Sequence, residues 1–350
     1  MRIRLALPLT LLFALLAAPV HAEIALKTAW LGEHEAFVAW YAKKMGWDRE
    51  AGLSLTMLQF GSGDKIMSSQ KEHDWAIAAC GAVPVVMSPL KDNVYIIGLA
   101  NTETEANAIY AREGDPIMQA KGVNPRFPDV FGSAESVRGK TILCPVNTSA
   151  HYLLDRWLTI LGLTEKDITL SNVLPGPAVD MMGKDFGDAA ALWWPANARA
   201  ERVGLREAAS SGACGVEHPI VLIVKRDFAR QHPDQVTMFL RLYLRTVAEM
   251  QRMGHDALLD QYRIFALQWY KQDMSREDIL EDLRLHPLYN LDQQMALFVD
   301  AEKGLPAWIR QIADFYSRTG ALSDKEREEL GSLQFLNPHY LKAVWMTRPQ

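Results

Sequence analysis

Two observations predict an α/β fold of two lobes. Short apolar runs alternate with amphipathic segments, and the chain changes character twice along its length. The runs Ile24–Ala29, Leu53–Phe60, Trp75–Ala79, Val94–Ala100, Ala106–Ala111, Lys140–Cys144, Ile168–Val173, Ala189–Trp193 and Ile220–Val224 have the length of strands, and several are rich in β-branched or aromatic residues. Between them, helical spacing predicts helices near 34–45, 62–71, 81–90, 149–161, 177–183 and 196–203. Further helices are predicted near 232–253, 256–269, 275–283, 290–303 and 306–319. Such alternation implies α/β layers with largely parallel sheets. After about Thr102 the chain becomes loop-rich (Gly114-Asp115-Pro116, Pro125, Pro128), and after about Gly212 the run at 220–224 leads into a nearly all-helical tail. A chain that leaves one lobe, builds a second and returns has this pattern. The expected division is therefore lobe I from 23–104 and 214–350, lobe II from 105–213, and a hinge and cleft between them.

The first 22 residues have the layout of an export leader. Arg2 and Arg4 form a basic start, Leu5 to Ala18 is almost unbroken apolar sequence, and Pro19-Val20-His21-Ala22 offers a small residue for cleavage before Glu23. The run is too short to span a bilayer comfortably, and no second long apolar stretch follows. The expectation is cleavage after Ala22 and a mature protein in a bacterial periplasm. The remaining chain is long enough for two compact lobes.

A formal charge of −5 with no basic stripe excludes a nucleic-acid partner, because phosphate binding needs clustered Lys and Arg. The three cysteines, Cys80, Cys144 and Cys214, fit no metal template. An oxidising compartment allows one disulfide with one thiol over, and three buried thiols serve equally well. Among helix starts, Ser275 stands three residues before Asp278 like a capping box with a shorter acid, and Pro306 suits a first turn. Ser149 precedes the amphipathic set His151, Leu154, Leu158 and Leu161.

Four stretches carry a resemblance. Ala42-Lys43-Lys44-Met45-Gly46-Trp47 followed by Ala51-Gly52-Leu53-Ser54-Leu55 resembles the first helix and second strand of the sulfonate, taurine and nitrate class of ABC-transporter substrate-binding proteins. Val137-Arg138-Gly139-Lys140-Thr141-Ile142 is similar to the strand that opens their second lobe. Leu161-Gly162-Leu163-Thr164-Glu165-Lys166-Asp167-Ile168 is similar to the turn that follows. Asp188-Ala189-Ala190-Ala191-Leu192-Trp193-Trp194-Pro195 resembles their strand entering an aromatic-Pro segment near the hinge. The resemblance covers most of residues 24–250. It implies the periplasmic-binding-protein fold, a small-molecule solute trapped between the lobes, and delivery to an inner-membrane ABC permease with a cytoplasmic ATPase. A monomer without cofactor or metal is expected. One departure is the stretch Gln70-Lys71-Glu72-His73-Asp74-Trp75, where the family commonly has a Gly turn and an acid before its third strand.

In open α/β sheets, ligands sit beyond the carboxyl ends of strands, against helix starts whose N–H groups favour anions. That rule selects the candidate binding residues. After the first strand come Trp30, a pocket wall or cleft-edge packing; Glu33, an amine holder or a helix-start acid; and His34, a ligand contact or a cap. After the second, Gly61-Ser62-Gly63 lets backbone approach a solute, with Ser62 a cap or a contact. Cys80 and Gly81 leave room after the third, and Asn101 with Glu103 follows the fourth. The best anion candidate is Asn147-Thr148-Ser149, opening a helix, with His151 on its first turn. Of Trp193 and Trp194, adjacent residues of a strand face opposite sides, and Trp194 is favoured for the cleft. His218 is a rim candidate before the returning strand. Glu33 and Glu103 suggest an amine on the solute, Thr148 and Ser149 an acid group, so a taurine-like zwitterion satisfies both.

No enzyme signature competes. Gly61-Ser62-Gly63 lacks the spacing of a nucleophile elbow, and His34-Glu35 runs into Ala36-Phe37-Val38 rather than a second His. Two alternatives to transport remain: a sensor that hands its bound form to a membrane receptor, and an exported enzyme on the same fold.

Overall fold

The computed structural model describes residues 23–88, 91–269, 271–318 and 320–348. The expected leader and its cleavage point before Glu23 lie outside the described residues. No described helix is long and apolar enough to cross a membrane.

Among the described residues, ten strands form two five-stranded sheets. The first contains β1 (Ile24–Leu31), β2 (Leu53–Phe60), β3 (Ile77–Gly81), β4 (Val94–Thr102) and β10 (Pro219–Lys225), in the order β2-β1-β3-β10-β4. The second contains β5 (Asn107–Arg112), β6 (Thr141–Leu143), β7 (Thr169–Ser171), β8 (Ala189–Trp193) and β9 (Leu205–Ser210), in the order β7-β6-β8-β5-β9. Both sheets are mixed rather than largely parallel. β1 runs parallel to β2 and β3, but β10 is antiparallel to β3 and β4; β5 is antiparallel to β8 and β9. The cause is the chain path. β5 and β10 each enter their sheet from the side of the other, so each starts where its neighbours end: Asn107 lies opposite Trp193, and Ile220 opposite Gly81. The carboxyl ends of β1, β3 and β4 thereby face those of β8 and β9, the position where α/β sheets bind ligands.

The sequence reading missed β9. Leu205-Arg206-Glu207-Ala208-Ala209-Ser210 is built of helix-favouring residues and becomes a strand because Ala108–Arg112 offers a partner edge. Short helices at Trp47–Glu50, Arg226–Gln231, Asp324–Gly331 and His339–Met346 were also missed. The Ser275 hydroxyl caps its helix by accepting the Asp278 N–H at 3.1 Å, whereas Ser62 makes no side-chain capping bond. In the departing stretch before β3, the Trp75 indole donates to Ser69 Oγ at 3.0 Å, and the Lys225 ammonium lies 4.8 Å from the ring centre. Cys80, Cys144 and Cys214 are all buried and unpaired.

The tail does more than fill space. Its long helix Pro233–Met253 buries Val236, Phe239, Leu240, Tyr243 and Val247 toward the first sheet. Trp30 stacks on Tyr243, with ring centres 6.4 Å apart. Farther on, the tail covers the open edge of β4. Phe335 O accepts from the Ile96 N–H and Ile96 O from the Asn337 N–H, each at 2.8 Å. The buried Gln294 amide imitates a strand: its Oε1 accepts from Leu99 N–H at 2.9 Å, and its Nε2 donates to Leu99 O at 2.8 Å. An edge strand covered this way is protected from pairing with another chain. The tail also touches the second sheet's helices, through an Arg202–Asp278 ion pair and a stacked Tyr152–Phe315 pair at 5.1 Å.

Replacing Gln294 by Leu strands the buried Leu99 N–H and C=O. We expect a loss of about 2–6 kcal/mol in urea unfolding, two unmet backbone groups at about 1–3 kcal/mol each. A loss below 0.5 kcal/mol would show that the edge is covered by other means.

Candidate functional site

The site grows from the loop after β1. Strand pairing ends at Leu31, and the helix Ala36–Lys44 starts within five residues, so Glu33, His34 and Glu35 are packed into one tight turn. Glu35 points back under that turn, and its Oε1 accepts the Leu31 N–H at 3.0 Å. The first crossing between the sheets brings Glu103 to the same place, held by a 2.9 Å bond from its own N–H to His218 O. One carboxyl oxygen from each of Glu33, Glu35 and Glu103 lies within 4.8 Å of the other two.

A polar seam runs outward from these carboxyls. Toward the second lobe, Asn107 Nδ2 donates to Glu103 Oε2 at 3.4 Å, and the Ser149 hydroxyl donates to Asn107 Oδ1 at 2.9 Å. Trp193 Nε1 donates to Glu33 Oε1 at 3.1 Å, so the end of β8 touches the end of β1. Toward the tail, His286 Nε2 stands 3.8 Å from Glu103 Oε1, while its Nδ1 lies 2.8 Å from Asp282 Oδ1. His34 stacks on His286 with ring centres 4.7 Å apart, and its Nδ1 is 3.0 Å from the Tyr262 hydroxyl, which donates to Asp282 Oδ2 at 2.5 Å.

Burial dominates the electrostatics. It pushes the Glu33 carboxyl up to about 8, with Glu103 adding repulsion. It pushes Glu35 well above the usual carboxylate range and raises Glu103 as well. His286 shows the opposite balance. Burial opposes its charge, but Asp282 beside it and Glu103 beyond raise it to about 9, and Asp282 is held far below the usual range in return. His34 is lowered to about 4 by burial and stays neutral. The seam therefore contains one imidazolium–carboxylate pair, one neutral imidazole and three carboxyls whose charge burial disfavours.

Two cavities flank the seam. One of about 300 Å3 lies beside Trp193 and Trp194, bounded by Pro175, Arg199, Arg202 and Met274. Another of about 310 Å3 lies behind His34 and His286, bounded by Phe37, Met250, His255 and Leu258. Both are at the small end of solute pockets, which span roughly 300–1,000 Å3.

The structure gathers Glu33, His34, Ser149 and Trp193 of the expected residues into this seam, and it disposes otherwise of the rest. Trp30 is a correction: it is fully buried, donates to Thr28 Oγ1 at 2.7 Å and belongs to the core against the tail helix. The two tryptophans are a second correction, because Trp193 reaches Glu33 while Trp194 is more deeply buried. The Thr148 hydroxyl is spent on Pro145 O at 2.6 Å. His151 is spent on both ring nitrogens, one taking the Asn147 N–H and the other 2.7 Å from Glu165 Oε1. Asn147 takes a left-handed backbone (φ 62°), a conformation Asn tolerates well, and so turns the chain into its helix. Cys80 and Gly81 end β3, and Asn101 is buried with its Nδ2 on Thr102 O at 3.3 Å. Ser62 is half-buried at the start of a six-residue helix. His218 is buried beside Tyr152, and among the described residues neither ring nitrogen has a hydrogen-bond partner.

Missed altogether were Glu35, Asn107, Tyr262, Asp282 and His286. The Asp282–His286 spacing of four on one helix was a legible signal, because it places the pair on one face.

The chain matches the NMT1-like family over residues 22–259. It is 23% identical over 219 residues to a Brachyspira hyodysenteriae protein named as an ABC transporter periplasmic binding protein, covering 61% of this chain and 63% of that one. It is 22% identical over 196 residues to the taurine-binding periplasmic protein of Escherichia coli, covering 55% and 56%. The chain thus spans less than two thirds of the length of these curated relatives. Among solved structures, the periplasmic aliphatic sulphonate binding protein of Escherichia coli superposes with a TM-score of 0.67 at 16% identity, covering 87% of this chain and 91% of that one. The nitrate-binding protein of Synechocystis superposes with 0.65 at 14% identity, covering 93% and 89%.

His218 gives a pH prediction. Burial lowers its imidazole to about 3, so below pH 6.5 the unfolded chain takes up a proton that the folded chain refuses. Its contribution to stability is complete above pH 6.5 and is lost as pH falls toward 3. Between pH 7 and 4.5 the wild type should lose roughly 1–3 kcal/mol more than His218→Gln in urea unfolding. Parallel curves for the two proteins would contradict it. On the match over residues 22–259, the chain belongs to the NMT1-like family.

Proposed function

We propose that this chain is the periplasmic substrate-binding component of an ABC importer. It captures a small anionic or zwitterionic solute, of the aliphatic sulfonate or taurine kind, between its two lobes. The lobes are 23–104 with 214–350, and 105–213. The protein works as an exported monomer, and its closed form is what an inner-membrane permease, coupled to a cytoplasmic ATPase, receives. The names of its relatives support this reading, but the observation that carries it is the Trp193–Glu33 bond across the junction, with a solute-sized cavity beside it. A contact made only when two lobes meet lets a solute that prefers the closed form shift the population toward it.

Capture without chemistry fits the side chains. The Ser149 hydroxyl donates to an amide and the Thr148 hydroxyl to a carbonyl, so neither is set against a base as a nucleophile must be. The start of the helix Ser149–Ile160 suits the solute's acid group, since helix N-termini favour anions.

Isothermal titration against ethanesulfonate, taurine and ethylamine tests the reading. The two acid-bearing solutes should bind and ethylamine should not. Trp193→Ala should weaken binding at least tenfold and leave the thermal midpoint within a few degrees, because the residue is half-buried at the junction. Binding of ethylamine alone, or of neither sulfonate, would overturn it.

A further inference from the structure

Three converging carboxyls, Glu35 and Glu103 buried and Glu33 half-buried, with no lysine or arginine ion-paired to any of them among the described residues, need an explanation. Among the described residues, His286 is the one basic side chain at ion-pair distance from any of them, and it is already bonded to Asp282. The 3.8 Å between His286 Nε2 and Glu103 Oε1 is too long for a hydrogen bond. Two donors bound to one metal at about 2.1 Å each stand about 3–4 Å apart, so that spacing suits a shared ion. Glu35 adds an independent sign. It is 1% exposed, its carboxyl is one of the three that converge, and its Oε2 has no partner among the described residues. His34, stacked on His286 and equally buried, likewise has no partner on Nε2 among the described residues.

From this convergence we infer that Glu33, Glu35, Glu103 and His286 Nε2 form a binding site for a divalent transition-metal cation at the junction of the lobes. Asp282 completes the arrangement. Its backbone carbonyl lies 2.7 Å from His286 Nδ1 and its carboxylate Oδ1 2.8 Å away, and an oxygen acceptor behind a ligating histidine fixes the tautomer and aims the other ring nitrogen at the metal. Carboxylate oxygens with one imidazole suit borderline and hard cations such as Mn2+ and Zn2+ rather than thiophilic ones. The cation gives the three carboxylates the counter-charge that the rest of the seam lacks. It also stands beside Asn107 and Ser149, where it would face a solute's acid group. The site rests on these side chains and not on the identity of the solute, so it survives if the solute proposed above is wrong.

The test uses the full secreted chain, freed of metal by chelation, titrated calorimetrically with MnCl2 and separately with ZnCl2, with Mn2+ binding also read by electron paramagnetic resonance. One ion per chain should bind, and binding should raise the thermal midpoint. Glu35→Gln should weaken it at least 30-fold, as should Glu103→Gln, which stands in should the first variant not fold. Asp185→Asn, an exposed acid far along the chain in lobe II, should leave it unchanged. No saturable binding of either ion, or equal affinity in wild type and both Gln variants, would overturn the assignment. Ethanesulfonate titrated into the same metal-free samples separates the two proposals: solute binding with no metal binding defeats the site and leaves the transport reading intact.

Discussion

Bringing Glu33, Glu35 and Glu103 together out of water is the constraint on which the junction depends. An ionised carboxylate moved into a low-dielectric interior costs several kcal/mol unless it is neutralised, paired or hydrogen-bonded. The structure uses each remedy in part. Glu35 takes a backbone N–H from Leu31, Glu103 takes the Asn107 amide, and Glu33 takes the Trp193 indole from the other lobe. None of these is a full counter-charge. The closest cation, His286, comes from the tail and is shared with Asp282. The junction is therefore held in a condition that a bound cation, or a change of lobe position, would relieve.

The tail beyond residue 259, outside the family match, is part of this junction rather than an appendix. Tyr262, Asp282 and His286 form the wall behind His34 and Glu103. The same segment closes the β4 edge through Gln294 and Phe335 and reaches the second lobe through Asp278 and Phe315. A structure that grips both lobes from outside the cleft couples lobe position to the carboxyl seam, since Asp278 and Asp282 lie one turn apart on one helix.

Much of this was legible in the sequence where local patterns decide the outcome. Strands such as β2 (Leu53–Phe60) and β8 (Ala189–Trp193) were read to the residue, because apolar β-forming runs bounded by turn residues have few alternatives. β9 was not legible: its Arg-Glu-Ala-Ala composition favours helix, and only a neighbouring edge makes it a strand. The site divides the same way. Glu33, His34 and Ser149 follow from their place after strands. Trp30 misled because exposure at a strand end cannot be told from burial under a helix more than two hundred residues later. Glu35 was hidden because it was weighed only as the partner of His34 in a metal motif that Ala36-Phe37-Val38 breaks, and Asp282 and His286 because they lie beyond residues 24–250, where the resemblance ends. Parallel strand order failed for a topological reason, since each crossing strand must enter its new sheet against the local direction.

The central claim is that two lobes close on a solute, with Trp193 meeting Glu33 as they do. Small-angle scattering of the purified chain, with and without saturating ethanesulfonate, tests it most directly. The account predicts a smaller radius of gyration with solute in the wild type, and a smaller change in Trp193→Ala. Identical scattering curves with and without a solute shown to bind would contradict it.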